Sequence, residues 1–465
     1  MASHKSHRSE ETLTPPPHPT PQQIAEAPRR HHLFGYPISH SASPAFHNFI
    51  LQSLAPIPSQ SSSSTSYPTY SLKDTMTIQD PHFRQMVRDD PLFAGSSVTM
   101  PLKVAIAAQL GEEHILDELS PSGKATQTVN TIVVLPPNAS SKGKRRMLGT
   151  NTDYLGIAHA LLRSCATQNG EPSPSSYIDP KPIQSGDVTS TTSYRFPRNA
   201  DGKTYSAFII GSGGTCRSAV YALHQLGLSP LYLLNRDKSE TDAVIDHFGD
   251  TIDLRPLRSI EEYEREKSLR EKGEIGHVAA AVGAIPAFEP RTEEEKMVYK
   301  LAHSFFAEPY KAFDEKHVSP VENDPTVLSL PLPAKRPFLD MCYKPRLTPL
   351  LVEAGKKGWD AIGGVEAMVE QGLAQARMWA ASAKILSSGQ DSDEDPSEYA
   401  TKAGDEGPLG AEIEEKARRL VSGMMDIVVT TPATSAATTV SKPPNVVETT
   451  VEKGFKNSSQ AQPVH

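Results

Sequence analysis

Four clusters of polar residues in the first 160 positions each lie where a short predicted strand gives way to a loop. Their side chains are Ser41, Ser43, Thr99, Lys103, Asn130, Thr152 and Asp153. Taken singly, a serine before a helix usually caps it, a lysine is usually solvated and an asparagine usually occupies a turn. Together, these hydroxyl, amide, ammonium and carboxylate groups would form a cup suited to a small polyhydroxylated acid.

A glycine turn at Gly211, Gly213 and Gly214 follows the apolar run SAFII and precedes a helical pattern. Missing side chains let backbone amides approach a pyrophosphate, and the helix N-terminus adds positive potential. The match to the dinucleotide fingerprint is partial because the third glycine is displaced by two positions. The strand, turn and helix context nevertheless favours nucleotide binding over a purely structural turn.

The next predicted strand, LYLL, ends at Asn235, Arg236 and Asp237, about where a cofactor ribose would be recognised. An NAD site usually presents a carboxylate there, and an NADP site an arginine. This chain has both, so we predict NADP or NAD as cofactor without choosing between them. Arg236 could stack on adenine or pair with a 2′-phosphate, whereas an inward Asp237 would repel that phosphate. An ordinary surface Arg and Asp after a strand are the alternative.

The elements that would hold these groups alternate between strands and helices. Pro101 places Lys103 near a helix start, TVNTIVVLP is typical of a strand, and a helix opens near Asp153. After the glycine turn, strands alternate with helices through HVAAAVGAIP and RPFLDMCY, which predicts an α/β fold with a mainly parallel sheet. A strong amphipathic helix follows at about 365–385.

Composition shifts mark the expected boundaries. Residues 1–31, 164–204 and most of 387–465 are rich in small, polar or charged residues, and we expect them to be disordered. The weak periodicity of 290–335 predicts an insertion, as does the serine-rich run near 58–66. Within the C-terminal tail, 411–425 carries a helical stripe that predicts a covering helix.

The whole chain has 465 residues, so two or three domains are expected. A formal charge of −8 with both signs interspersed argues against nucleic-acid binding. The three cysteines lie far apart, and no apolar run reaches membrane-spanning length, so we expect a cytoplasmic protein that binds no membrane. No metal is expected, because His40 and His47 lack ligand spacing and His31 and His32 fall in the expected tail.

Seven motifs in order resemble the shikimate dehydrogenase family, including its quinate-using members. They are FGYPISHSASPAFHN, SVTMPLK, TVNTI, GTNTDYLG, IIGSGGTCRSA, DMCYKPRLTPLL and AMVEQGLAQARMW. The resemblance implies two domains: an N-terminal α/β substrate-binding domain at 32–163 with returning helices at 350–386, and a Rossmann-like, doubly wound NAD(P)-binding domain at 205–349. The insertions resemble enlarged fungal forms of the family.

The resemblance also implies roles for single residues. Lys103 and Asp153 would form the catalytic pair. The substrate would contact Ser41, Ser43, Thr99, Asn130, Thr152, Tyr343 and Gln371. The cofactor would contact Gly211, Gly213, Gly214, Thr215, Arg217, Asn235, Arg236, Asp237 and Gly364. The chain departs from the family pattern at Ser97, where an asparagine is usual, and at 280–282, where Ala-Ala-Val replaces a polar strand end.

The expected activity is reversible hydride transfer between NAD(P)H and 3-dehydroshikimate or 3-dehydroquinate. The alternative is a catalytically silent relative that senses metabolites of the quinate pathway and acts through a partner. Intact Lys103 and Asp153 favour the enzyme, whereas the altered 280–282 segment and the long tails favour the sensor. The sequence does not distinguish shikimate from quinate, or a monomer from a homodimer.

Overall fold

The computed structural model describes residues 13–54, 57–58, 65–111, 114–138, 141, 143–170, 193–198, 202–287, 289–310, 327–329, 332–388, 395–405 and 407–430. Several expectations fall elsewhere, on the first twelve residues, the middle of the 164–204 segment and the end of the C-terminal tail, and these lie outside the described residues.

The first half of the described chain builds one α/β unit. Its elements are α1 (Pro21–Glu26), β1 (Arg30–Gly35), α2 (Ser43–Ser53), β2 (Ile57–Pro58), β3 (Thr65–Ser66), β4 (Thr69–Asp74), α3 (Pro81–Arg84), β5 (Phe93–Val98), α4 (Leu102–Ala107), β6 (Glu118–Leu119), α5 (Pro121–Thr126), β7 (Thr131–Leu135), β8 (Arg146–Thr150) and α6 (Asp153–Gln168). The central sheet has the order β4-β1-β5-β7-β8-β6. Its β4, β1 and β5 run parallel, and β7 is antiparallel to both of its neighbours.

The second half builds another α/β unit. Its elements are β9 (Ser193–Arg195), β10 (Ser206–Ile210), α7 (Gly214–Gln225), β11 (Leu231–Leu234), α8 (Lys238–Phe248), β12 (Leu254–Pro256), α9 (Ile260–Glu271), β13 (Val278–Gly283), α10 (Glu293–Ala307), β14 (Val327–Ser329), β15 (Pro337–Asp340), α11 (Pro349–Lys356) and β16 (Asp360–Gly363). The chain then continues into α12 (Val365–Ser388) and α13 (Ala411–Thr430).

The second sheet is parallel throughout, with the order β12-β11-β10-β13-β15-β16. Numbered within the sheet, this is 3-2-1-4-5-6, the order of dinucleotide-binding sheets. The order reverses between β10 and β13, and ligands of such sheets bind at the carboxyl ends of the strands beside this point. The expectation of a two-domain α/β fold with a doubly wound second domain is confirmed.

Helix α12 returns to the first domain and packs along α6 and β7. Glycines permit the close approach: an added Cβ at Gly156 of α6 would lie 2.3 Å from the carbonyl oxygen of Ala367. A Cβ at Gly95, which has a φ of +150°, would lie 2.4 Å from the indole nitrogen of Trp379. That nitrogen donates to the Ile132 carbonyl at 3.0 Å and so fixes the helix on the sheet.

Two domain expectations need correction. Of the segment 350–386 assigned to the first domain, α11 and β16 belong to the second, because β16 pairs with β15 at the sheet edge. Only α12 returns. The first domain also begins earlier than residue 32: β1 starts at Arg30, and the buried imidazoles of His31 and His32 lie inside it, not in a loose tail.

The expected insertion at 290–335 is also partly wrong. Helix α10 occupies 293–307, and its apolar residues recur at helical spacing at Val298, Leu301, Ala302 and Phe305. The Phe305 ring stacks on Phe208 of the central strand β10, with centroids 4.7 Å apart. The acidic first turn hides this stripe in the sequence, although its spacing carries the helical signal.

The remaining segments follow the predicted pattern in part. Helix α6 extends to Gln168, beyond the expected boundary at 163. Helix α13 forms where the stripe at 411–425 predicts one. Strand β9 pairs with β14, so the two segments expected to be insertions contact each other. Among the described residues, we find no helix with both the length and the apolar character needed to cross a membrane.

Candidate functional site

An ion pair on the first domain forms the centre of the site. Lys103 lies in the first turn of α4, and Asp153 is the first residue of α6. The Lys103 Nζ lies 2.6 Å from Asp153 Oδ2. The carboxylate is 1% exposed and the ammonium side chain 15% exposed, so only the lysine reaches open space. The two side chains are therefore in direct contact, with the ammonium as the accessible member of the pair.

Asn130 holds the second oxygen of this carboxylate. Its Nδ2 donates to Asp153 Oδ1 at 2.9 Å and lies 2.9 Å from Gln371 Oε1. Its Oδ1 accepts from the backbone amide of Thr152 at 2.7 Å. Because Asn130 precedes β7 directly and Thr152 precedes α6 directly, the sheet fixes the position of Asp153 from two sides.

A cavity of about 220 Å³ opens beside the ion pair. All but one of the polar side chains expected to bind substrate line this cavity, as do both members of the ion pair. The residues concerned are Ser41, Ser43, Thr99, Lys103, Asn130, Asp153, Tyr343 and Gln371. Thr152 does not line it. Its buried hydroxyl instead lies 3.0 Å from Asn130 Nδ2, so Thr152 supports the wall from behind.

Several residues that line the cavity were not predicted from the sequence. Gln375 lies one helical turn after Gln371, and its Oε1 accepts from Ser97 Oγ at 2.8 Å. Because residues four apart on a helix share one face, the predicted role of Gln371 could have indicated Gln375 as well. His47 also lines the cavity, and burial lowers its pKa to about 3, so this imidazole is neutral. Met341 and Met368 add apolar surface.

The glycine turn lies between β10 and α7, as predicted. Gly211 has a φ of +124°, and a Cβ there would lie 2.8 Å from the Ala284 carbonyl oxygen. Gly213 faces open space, since no heavy atom lies within 4 Å of its Cβ position. No side chain caps the first turn of α7, so its backbone amides remain available to an anion.

Thr215 and Arg217, both expected to contact the cofactor beside that turn, lie on different sides of it. Thr215 lines the cavity together with Lys103, so α7 reaches the cup. Arg217 instead points toward α8, where its Nη2 donates to the Ala243 carbonyl at 3.1 Å. Burial lowers the pKa of this guanidinium. Arg217 therefore packs the back of the turn.

The end of β11 carries the three residues expected at the ribose. Asn235 Nδ2 donates to the Asp237 carbonyl at 2.9 Å. The Asp237 carboxylate caps α8 by accepting from the amides of Ser239 and Glu240 at 2.8 and 3.0 Å, and this bonding lowers its pKa. Arg236, 54% exposed, forms an ion pair with Glu295 of α10. Arg236 and Asp237 therefore each have a partner within the protein, whereas the sequence suggested that both could face the cofactor.

Two further positions have structural explanations. A Cβ at Gly364 would lie 2.5 Å from the Met341 carbonyl oxygen, so close packing requires glycine at the start of α12. Residues 280–282 lie inside β13, fully buried, and the strand continues to Gly283. The expected strand end was therefore placed too early. The strand ends at Gly283, and the Ile285 side chain that follows lies 3.2 Å from the Cβ position of Gly211 in the glycine turn.

The arrangement has the parts needed to move a hydrogen at an alcohol carbon. A lysine ammonium faces a small polar cavity, a buried carboxylate fixes that ammonium, and an uncapped helix N-terminus with an open glycine lies next to both. Such an ammonium can donate a proton to a developing alkoxide, or remove one through its neutral form.

Comparisons with known proteins agree with this geometry. Residues 33–132 match the family described as the shikimate dehydrogenase substrate binding domain. The chain is 30% identical over 353 residues to the pentafunctional AROM polypeptide of Schizosaccharomyces japonicus, a match that covers 76% of this chain and 17% of that protein. This chain therefore spans less than a fifth of the curated relative.

Two solved structures are also similar to this chain. Dehydroquinate dehydratase and shikimate dehydrogenase from S. pombe AroM shares the fold, with a TM-score of 0.50 at 24% identity, covering 85% of this chain and 53% of that one. Shikimate 5-dehydrogenase from Thermus thermophilus, in complex with NADP(H) and shikimate, gives a TM-score of 0.44 at 23% identity, covering 84% of this chain and 99% of that one.

Proposed function

We propose that this chain is a member of the shikimate dehydrogenase family and catalyses reversible hydride transfer between a nicotinamide dinucleotide and the 3-dehydro form of shikimate or quinate. The observation that carries this proposal is the Lys103–Asp153 pair, which faces a polar cavity that also receives Thr215 from the nucleotide-binding domain. Catalytic pair, substrate cup and cofactor helix thus meet in one crevice.

Lys103 supplies the proton in this proposal. Negative charge grows on the substrate carbonyl oxygen as the hydride arrives, and a preorganised donor in a site shielded from water stabilises that charge. The Lys103 ammonium is the partly exposed cation of the pair, and it donates the proton that converts this oxygen to a hydroxyl. In the reverse direction the neutral amine removes that proton.

Asp153 is a positioning and electrostatic partner. One of its oxygens accepts from Lys103 Nζ and the other accepts from Asn130 Nδ2, so the carboxylate is bonded on both sides. A carboxylate held in this way keeps the ammonium oriented toward the cup. Gln371, on α12, joins the same network through Asn130 and would contact the substrate beside it.

The cup suits a hydroxylated ring acid. Ser41 and Ser43 lie where α2 begins, and their hydroxyls would bind the substrate carboxylate. Thr99 and Tyr343 add hydroxyl groups from the two domains. The cavity of about 220 Å³ has room for a single six-membered ring with its substituents.

The crevice also fits a dinucleotide. Gly213 faces open space, and the uncapped α7 amides would bind the pyrophosphate. When bound, the dihydronicotinamide supplies the hydride. NADP or NAD is the expected cofactor, and Arg236 and Asp237 lie at the ribose end of its path.

A matrix of initial rates tests the proposal. The full chain would be assayed with shikimate and with quinate, each with NADP⁺ and with NAD⁺, by the absorbance of the reduced nicotinamide. We expect turnover in at least one combination. No turnover in any of the four, with the protein folded and binding cofactor, would instead support the metabolite-sensing alternative.

A further inference from the structure

Helix α13 lies behind the two helices that form one side of the cup. It packs against both α2 and α12. Its Ala417 and Val421 belong to the same buried cluster as Phe46 of α2 and Met368 of α12. Phe46 and Met368 also line the cup. The packing around α13 therefore continues directly into the wall of the cup.

One ion pair between α13 and α12 lies directly beside a residue of the cup. Arg418 Nε and Nη2 donate to the two oxygens of Glu370 at 2.7 and 3.2 Å. The Glu370 side chain is 6% exposed and that of Arg418 is 23% exposed. Burial works against the charged carboxylate, but His159 and then Arg418 lower the pKa of Glu370. Glu370 directly precedes Gln371, which lines the cup.

A second ion pair, about two helical turns along α12, has the opposite polarity. Arg377 of α12 donates to both oxygens of Glu414 of α13. The acid therefore lies on α12 in one pair and on α13 in the other. Sliding α13 by one turn would bring Glu414 opposite Glu370, and two buried carboxylates repel each other. The two pairs together fix one register between the helices.

The same two pairs fix the rotation of α12 about its axis. Glu370 and Arg377 lie on one face of the helix, since seven residues make nearly two turns. Gln371 lies about 100° round the helix from Glu370, and Gln375 shares the side of Gln371. Both glutamines line the cup. A rotation of α12 would therefore carry both glutamines away from their places in the wall.

Glu370 also faces α6, the helix that begins with Asp153. His159 Nδ1 of α6 lies 3.9 Å from Glu370 Oε1. The carboxylate thus lies where α6, α12 and α13 meet, among the helices that carry Asp153 and Gln371. Removing the guanidinium of Arg418 would take away the charged donor to both oxygens of this buried group, and such a loss forces the surrounding structure to rearrange.

We propose that Arg418 is a positioning residue for the cup: its pair with Glu370 fixes the rotation and register of α12 and so holds Gln371 where it contacts the substrate. The inference rests on the proposed function, because that function assigns Gln371 to the substrate. Arg418 does not line the cup, so it acts through α12. A determinant of substrate affinity therefore lies on the C-terminal helix.

Titration calorimetry of the full chain with shikimate and with quinate tests this proposal. We expect Arg418→Met to bind whichever acid the parent binds about tenfold more weakly, because a hydrogen bond from Gln371 is lost. The affinity for NADP⁺ and NAD⁺ should not change, since the glycine turn lies on the other domain. Arg418→Lys should recover part of the loss, because an ammonium can still pair with Glu370. Lys416→Ala, which breaks a partly exposed pair with Glu412 on α13, should have no effect.

Unchanged acid affinity in a folded Arg418→Met variant, or an equal loss of acid and cofactor affinity, would overturn the proposal. A parent protein that binds neither acid would overturn the proposed function as well, so the two failures are distinguishable. If Arg418→Met does not fold, Glu370→Gln, which keeps the shape of the side chain, should show a smaller loss in the same direction. Unchanged acid affinity in that variant would count equally against the proposal.

A double-mutant cycle shows whether Arg418 acts through Gln371. In Gln371→Ala the hydrogen bond to the acid is already absent. Adding Arg418→Met to it should therefore weaken acid binding by much less than a further factor of about ten. Losses that simply multiply would place the effect of Arg418 elsewhere and contradict the positioning role.

Discussion

At the scale of single residues, Lys103 gives the sharpest prediction. Replacement by alanine removes the proposed proton donor but leaves the hydroxyls and amides of the cup in place. We therefore expect Lys103→Ala to lower kcat by about 10²–10⁴-fold with a much smaller change in KM. Steady-state kinetics at saturating cofactor would measure both constants.

Lys300→Ala is the matched control, since Lys300 is an exposed lysine on α10 far from the cup. Its kcat should equal that of the parent protein. An undiminished kcat in Lys103→Ala would remove Lys103 from the chemistry and would leave the convergence with Asp153 as a structural ion pair.

Glu295 gives a prediction on cofactor choice. Its carboxylate pairs with Arg236, the cation best placed for a 2′-phosphate, and also accepts from the amides of Arg291 and Thr292. Glutamine can keep this capping role while losing the charge. We expect Glu295→Gln to raise the ratio of kcat/KM for NADP⁺ over NAD⁺ by about tenfold, because hydrogen bonds to charged groups are worth about this much.

Arg236→Gln should shift the same ratio in the opposite direction. An unchanged ratio in both variants would show that the cofactor does not reach the end of β11.

Most residues predicted to bear the chemistry line one cavity, but the sequence did not predict their partners. Lys103, Asn130 and Asp153 carry local signals, because each lies next to the end of a strand or the start of a helix. The links from Ser97 to Gln375 and from Arg236 to Glu295 are set by helices that lie far along the chain. No local pattern encodes such a contact. The N-cap role of Asp237 shows the same limit, since the sequence does not say which way its carboxylate turns.

At the scale of elements, the contact between α12 and α13 depends on a buried ion pair. Arg377 donates to both oxygens of Glu414 at 2.8 and 2.9 Å, and the two side chains are 4% and 2% exposed. Removing one partner leaves a buried charge, so Arg377→Met should lower the free energy of unfolding by about 3 kcal/mol. Urea denaturation monitored by far-ultraviolet circular dichroism would measure it.

The double variant Arg377→Met with Glu414→Met should recover much of that loss, because no charge then remains buried. Lys296→Ala, which breaks an exposed pair with Glu293, should change the free energy of unfolding by less than about 1 kcal/mol. A single variant no less stable than the double one would contradict the role given to the pair.

Elements with strong periodicity were predicted well, and elements defined by their neighbours were not. β10, β11 and α12 carry long apolar patterns, so their types follow from the sequence. β16 has a short, half-buried sequence, and only its pairing with β15 makes it a strand of the second sheet. Tertiary pairing of this kind decides the assignment where local preference is weak.

At the scale of the whole molecule, buried histidines predict how stability depends on pH. Burial lowers the pKa of His31, His32 and His47 to about 3, so the folded protein keeps them neutral. The unfolded chain protonates them below about pH 6.5, and the unfolded state then binds more protons. The contribution of each imidazole to the free energy of unfolding is therefore complete above that pH. It falls as the pH drops, by about 1.4 kcal/mol per pH unit.

Asp340 has the opposite effect. Burial raises its pKa to about 6, so the folded state holds a proton that the unfolded state releases. The contribution of this group to the free energy of unfolding therefore falls as the pH rises toward 6. Urea denaturation at pH 7.5, 6.5 and 5.5 should still show a net fall toward acid. His32→Asn should reduce the slope of the free energy of unfolding against pH by the amount that one bound proton contributes. His114→Asn, at an exposed position, should leave that slope unchanged.

The close crossing of α6 and α12 at Gly156 joins the chain that enters the second domain to the chain that returns from it. Helix α6 leads toward that domain, α12 leads back, and the two helices pack against each other. Asp153 lies on α6 and Gln371 on α12, and both contact Asn130. Any widening of the crevice that leaves this crossing intact therefore keeps the carboxylate and the glutamine together.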